Sequence, residues 1–174
     1  LIFSVVRYGN VLGSRGSVFP LFIKTAKKGF INITHQDMTR FSISLEEGVQ
    51  LVCDVIDNSF GGEIFVPKIP SYRIKDVAEA IGPSAEKKII GLRPGEKIHE
   101  DMILPSESIY TYESESKYVI HYLLMGNNPY KDKKAFKKVK EGFSYNSSKN
   151  INFLNVKEIR KLITKHVDKD FVPI

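Results

Sequence analysis

The chain has 174 residues, 42% of them hydrophobic and 26% charged, with one cysteine and a formal charge of +6. This balance suits one ordinary domain or one lobe of a larger one, and it excludes disordered, collagen-like and low-complexity classes. The decade Lys131 to Lys140 holds six lysines and one aspartate, so the rest of the chain is close to neutral. Charge gathered in one run argues against a nucleic-acid surface and for a solvated lysine-rich loop or short helix, within a loop-rich segment spanning residues 127–149.

Taken in order, Leu1 to Val6 (LIFSVV) is short, apolar and rich in β-branched residues, as in a fully buried sheet strand. Such a strand rarely begins a protein, and no Met precedes it. The chain is therefore expected to be the C-terminal part of a longer protein, with strand Ile2 to Arg7 next to sheet neighbours outside it. A glycine-rich turn, Tyr8 to Gly16, leads to a helix over Ser17 to Lys28, ended by Gly29. Ile31 to Thr34 and Thr39 to Ile43 read as strands. Ser44-Leu45-Glu46-Glu47 forms a capping box for the helix that follows, and Glu63 to Pro67 is a strand. A third helix covers Arg73 to Ile81, capped by Ser71 and closed by Gly82-Pro83. Lys87 to Leu92 is a strand ending at the turn Arg93-Pro94-Gly95-Glu96. Lys117 to Tyr122 is extended, Gly126 to Tyr130 is a turn, and Asn155 caps a last helix, Val156 to His166. Strands alternating with helices predict an α/β fold.

Several residues have chemistry to offer. Gly9, Gly13 and Gly16 stand between a strand and a helix, where backbone amides can cradle phosphate. Their spacing is not GxGxxG, and a tight strand-to-helix turn explains them equally well. Tyr-x-x-x-Lys occurs at Tyr130/Lys134 and Tyr145/Lys149, both in polar loop-like sequence, where coincidence is the better explanation. The Arg93 guanidinium can grip phosphate in a bidentate fork, and Glu96 can accept from sugar hydroxyls. Arg40 is a second candidate anion binder, or else a strand-edge arginine paired with Glu46 or Glu47. His35, His99, His121 and His166 have no second ligand at metal spacing, so no metal site is expected and His99 reads as structural. Cys53 reads as a buried small hydrophobe.

Four segments together resemble one family: Val6 to Val18 (VRYGNVLGSRGSV), Met38 to Phe41 (MTRF), Gly61 to Pro70 (GGEIFVPKIP) and Ile90 to Glu100 (IGLRPGEKIHE). In order and spacing they resemble the C-terminal half of extended short-chain dehydrogenase/reductase enzymes acting on nucleotide sugars. The inverting UDP-N-acetylglucosamine 4,6-dehydratases of pseudaminic acid and surface polysaccharide biosynthesis are the most similar. The resemblance is dense from Val5 to Ile103 and thins after Pro105.

The resemblance implies the substrate-binding C-terminal lobe of a Rossmann-type enzyme, spanning residues 1–174, with one or two strands of the parent parallel sheet. It implies that Asn10, Val18, Thr34, Arg40, Arg93 and Glu96 bind a UDP-sugar. Arg40 and Arg93 would hold the diphosphate. Val11, Leu12, Gly13, Ser14 and Arg15 would lie against NADP. The catalytic Tyr and Lys of the family precede the strand that opens this chain, so no catalytic residue is expected within it. NADP would take the C4 hydride, the C5 proton would leave with loss of water from C6, the hydride would return to C6, and protonation at C5 from the opposite face would give inversion. The family tends to carry Tyr-x-Ser and then an acid before an aromatic-Leu pair. Tyr145-Asn146-Ser147 and Phe153-Leu154 match, with Asn152 at the position of the acid. A cytoplasmic homo-oligomer without nucleic-acid or membrane partners is the expectation. A UDP-sugar 4-epimerase, a retaining dehydratase and a non-catalytic nucleotide-binding or assembly module are the alternatives.

Overall fold

The computed structural model describes residues 1–122, 129–130 and 133–174. In chain order the elements are β1 (Val5–Val6), β2 (Asn10–Val11), α1 (Val18–Ala26), β3 (Phe30–Ile33), β4 (Thr39–Ile43), α2 (Leu45–Asn58) and β5 (Glu63–Pro67). β6 (Ser71–Arg73), α3 (Ile74–Ile81), β7 (Glu86–Ile89) and β8 (Asp101–Ile103) follow. A 3-10 turn, Pro105–Tyr110, precedes β9 (Thr111–Glu113), β10 (Lys117–His121), β11 (Lys137–Lys138), β12 (Tyr145–Asn146) and α4 (Val156–His166). The chain divides into two compact units.

The first unit comprises residues 1–8, 46–69 and 101–146. Its sheet runs β1-β5-β10-β9-β11, with β1 and β5 parallel and the remaining pairs antiparallel. A parallel pair of strands is what the sequence reading expects here. Val55 of α2 packs with Phe65, Tyr112, Val119 and Tyr130 to form the core. Arg7 ties β1 to the 3-10 turn by donating to both Glu107 carboxylate oxygens and to the Met102 carbonyl. Glu63 is buried and accepts from the Ser4 and Tyr130 hydroxyls and from the Phe60 and Gly61 amides. Burial alone would raise its carboxyl, but the Ser4 bond and the backbone amides bring it below the usual range.

The second unit comprises residues 9–45, 70–100 and 147–174. β2-β4-β6 form one small sheet and β3-β7 a parallel pair. α1, α3 and α4 cover them. Apolar residues at helical spacing in α3 (Ile74, Val77, Ala78, Ile81) meet Phe19 and Phe22 of α1, Ile31 and Ile33 of β3, and Ile159 and Ile163 of α4. α4 begins as its sequence dictates: the Asn155 side chain accepts from the Lys157 and Glu158 amides, and Glu158 reaches back to the Asn155 amide.

Several expectations are corrected. The opening strand is confined to Val5–Val6, which pairs along one edge only among the described residues, and the exposure of Leu1, Ile2, Phe3 and Val5 is what a strand expected to lack sheet neighbours within this chain should show. Ser71 does not cap α3. It lies in β6, where its amide and carbonyl bond to Asn152 and Leu154, and Arg73 takes the cap position. The strand before Arg93 ends at Ile89, where pairing with β3 stops. Cys53 is exposed, since α2 turns Leu51 and Val55 inward and Val49, Val52, Cys53 and Ile56 outward. The described lysines of the run, Lys133, Lys134, Lys137, Lys138 and Lys140, are exposed, as a solvated segment is expected to be, but part of the run is held in place. Lys137–Lys138 pairs with β9 as an edge strand, and Lys133 sits 4.3 Å from the centre of the Phe60 ring. Lys131 and the greater part of the turn expected at 126–130 lie outside the described residues.

Candidate functional site

A cleft of about 650 Å³ opens in the second unit, a size suited to a small-molecule ligand. Asn10 and Val11 reach it because β2 pairs in parallel with β4, side by side with Ser42 and Ile43. Gly9 makes this pairing possible: a Cβ there would stand 2.5 Å from the Phe41 Cβ. Ser14, Arg15, Gly16 and Ser17 then carry the chain along the cleft into α1. Alternation in β3 buries Ile31 and Ile33, leaving Asn32 exposed, and Asn32 and Thr34 line the wall. Apolar side chains of Val18, Phe19, Phe22 and Ile90 complete the walls.

The charged lining residues are Arg15, Arg40, Arg93 and Glu96, an excess of positive charge. Their situations differ. Arg40 is largely buried: it pairs with Glu100 at 3.1 Å and donates to the carbonyls of Thr39, Ile98 and Lys97. Glu100, rather than Glu46 or Glu47, is its partner. The guanidinium groups of Arg15 and Arg93 have no hydrogen-bond or ion-pair partner among the described residues. The Arg93 amide donates to the Glu96 carboxylate at 3.2 Å, and the Glu96 amide donates back to the Arg93 carbonyl at 3.1 Å. This closes the turn on itself.

The start of α1 adds donors. Ser17 occupies the N-cap with extended backbone and no side-chain cap bond, and its buried Oγ has no partner among the described residues. The first amides of a helix are unsatisfied from within and carry partial positive charge. With Ser17, Val18 and Phe19 on the cleft wall, this end suits an anion. Tyr72, behind Arg40, is buried against Phe19, and burial first of all pushes its phenol well above the ordinary tyrosine range. It stays protonated at physiological pH.

Nine of the residues expected at the site therefore share one cleft: Asn10, Val11, Ser14, Arg15, Val18, Thr34, Arg40, Arg93 and Glu96. Leu12 and Gly13 are not on its wall. Leu12 belongs to the core, and a Cβ on Gly13 would meet the His166 carbonyl at 3.0 Å. Ser17, Asn32, Phe22 and Tyr72 were missed, although strand alternation alone points Asn32 and Thr34 the same way. Both Tyr-x-x-x-Lys spacings are structural: Tyr130 bonds to Glu63, and the Tyr145 hydroxyl bridges the Ile69 amide and carbonyl. His99 bonds to Thr39. No metal-binding group of His, Cys, Asp and Glu, and no helix long and apolar enough to cross a membrane, is found among the described residues.

The chain is 46% identical over 169 residues to the UDP-N-acetylglucosamine 4,6-dehydratase (inverting) of Campylobacter jejuni, covering 92% of this chain and 51% of that protein. It is 36% identical over 171 residues to a UDP-glucose 4-epimerase of Rickettsia akari, covering 93% and 49%. The crystal structure of Pen from Bacillus thuringiensis superposes with a TM-score of 0.81 at 32% identity, covering 94% of this chain and 50% of that one. The chain thus spans about half the length of the relatives it matches. Residues 1–122 match the polysaccharide biosynthesis protein family, and the α/β chain with its arginine-lined cleft belongs to it.

Proposed function

We propose that this chain is the substrate-binding portion of a nucleotide-sugar 4,6-dehydratase, acting on UDP-N-acetylglucosamine in pseudaminic acid or surface polysaccharide biosynthesis. The observation that carries the reading is the Arg93 guanidinium, without a partner among the described residues, on one cleft with the open N-terminus of α1. A diphosphate carries the matching charge, and an apolar wall beside it suits a nucleoside. Arg93 grips the diphosphate, Glu96 accepts from a sugar hydroxyl, and Asn10 orients the hexose, while Val18 and Thr34 face the nucleotide end. The chain's own contribution is orientation of the substrate rather than bond cleavage.

NADP would lie against the same wall. The unpartnered Arg15 beside Ser14 and Val11 suits a cofactor bearing phosphates. When bound, NADP supplies a hydride acceptor and donor. Val11, Ser14 and Arg15 would hold it against the substrate. A UDP-sugar and NADP make the cytoplasm the working compartment. The likeness to a UDP-glucose 4-epimerase favours 4-epimerisation as a second reading.

Calorimetric titration of UDP tests the binding claim, with saturable binding expected and absence of binding overturning it. Incubation of the full-length protein with UDP-N-acetylglucosamine and NADP then separates the chemistries. Loss of water from the sugar supports the dehydratase, and inversion at C4 without loss of mass supports the epimerase.

A further inference from the structure

The turn that carries Arg93 and Glu96 has little holding it from the side. Leu92, Arg93, Pro94 and Gly95 are exposed. Gly91 and Gly95 both have positive φ, 85° and 81°, and nothing lies within 4 Å of where their Cβ atoms would be. The bonds within the turn run only between Arg93 and Glu96. On the entering side the chain is tied by the Ile90 amide to the Ile33 carbonyl. On the leaving side it runs into a dense polar knot over residues 97–100.

Ser147 is at the centre of that knot. It is fully buried and does not line the cleft. Its Oγ is 2.7 Å from the Thr39 Oγ1 and accepts from the Glu100 amide at 2.9 Å, while its own amide donates to the Glu100 carbonyl at 2.8 Å. Thr39 in turn meets His99 Nδ1 at 2.9 Å, and its amide donates to the Ile98 carbonyl. Arg40 fastens the Lys97 and Ile98 carbonyls and the Glu100 carboxylate. Ser147 and Thr39 thus join residues 98–100 to β4, a strand that also carries a cleft residue.

We propose that Ser147 is a positioning residue for nucleotide binding: its buried hydroxyl, with Thr39, fixes residues 98–100 on β4 and so holds the Arg93–Glu96 turn at the cleft. The proposal rests on the reading of the cleft as a nucleotide-sugar site. Without the Ser147 hydroxyl, the Glu100 amide and the Thr39 hydroxyl each lose a partner, and the base of the turn is freed. Arg93 must then be ordered by the ligand itself, which weakens binding without removing any group that touches it.

A double-mutant cycle on UDP affinity tests this. Ser147→Ala should weaken UDP binding by about five- to tenfold. In the Arg93→Ala background the same change should cost at most about twofold, because the group it positions is gone. Thr39→Val, nearly isosteric, should repeat the pattern should Ser147→Ala fail to fold. Equal losses in both backgrounds, or unchanged UDP affinity in a folded Ser147→Ala or Thr39→Val protein, would overturn the proposal and leave the cleft's assignment standing. If Arg93→Ala itself binds UDP as the unaltered protein does, Arg93 is only a surface turn residue and this proposal fails; the nucleotide reading fails only if the unaltered protein does not bind UDP.

Discussion

Arg93 shows what a single side chain contributes and how it is held. Its guanidinium is exposed, unpartnered among the described residues and set on the cleft wall, while its backbone is fixed by Glu96. A charge-assisted bond to phosphate contributes roughly 1.5–3 kcal/mol. Arg93→Ala should therefore weaken UDP binding by roughly one to two powers of ten, since each ~1.4 kcal/mol is tenfold. Arg93→Lys should recover only part of this, because an ammonium cannot donate two parallel bonds. NADP affinity, measured separately, should stay within about twofold of the unaltered protein's. A parallel fall in NADP affinity would mean that the turn serves both ligands. Residue types and spacing made Arg93 and Glu96 legible in the sequence. The commitment of Arg40 to Glu100 was not, because sixty residues separate them and only the fold brings them together.

Among the elements, those with a local signature were the legible ones. α4 has a capping box in its sequence and the same box in its structure, bounded by Asn155 and His166. β4 and β5 are five residues each, long enough for their pattern to show. β2, β11 and β12 are two residues long and exist only through partners distant in sequence, so no local pattern marks them. α2 misled on Cys53 because it is apolar on both faces. Asn155→Ala should lower stability by about 1 kcal/mol, seen as a lower thermal midpoint, with UDP affinity unchanged. The tie between β1 and the 3-10 turn is pH-dependent. Burial alone would raise the Glu107 carboxyl, but Arg7, the Leu104 amide and the Tyr122 hydroxyl together hold it below the usual carboxylate range. A carboxyl lowered by folding stabilises at pH values above its unfolded pKa, near 4.5, and that contribution is lost as pH falls through the folded value. Acid unfolding of Glu107→Gln should therefore lose stability less steeply below pH 4.5 than the unaltered protein, while being less stable at pH 7. Parallel acid profiles would show that Glu107 does not set the slope.

For the whole chain, the notable surface is the apolar one on the first unit. Val49, Val52 and Ile56 recur along one face of α2 at helical spacing and are 54%, 39% and 72% exposed. Ile2, Phe3 and Val5, at the open edge of the sheet, are exposed as well, and Ile2 approaches the Gly61 turn that follows α2. Exposed apolar surface of this kind tends to be covered by something. In a solution of the 174-residue chain alone, the available cover is another copy. The chain should therefore self-associate in sedimentation velocity as its concentration rises, and more so in kosmotropic salt. Val49→Glu with Ile56→Lys should reverse this. These side chains face solvent, so the unfolding free energy should not fall by more than a surface substitution allows, about 0.5 kcal/mol each. UDP affinity should be untouched, because the cleft is built entirely from residues of the other unit. A chain that stays monomeric at high concentration without the substitutions would show that this apolar face does not drive association.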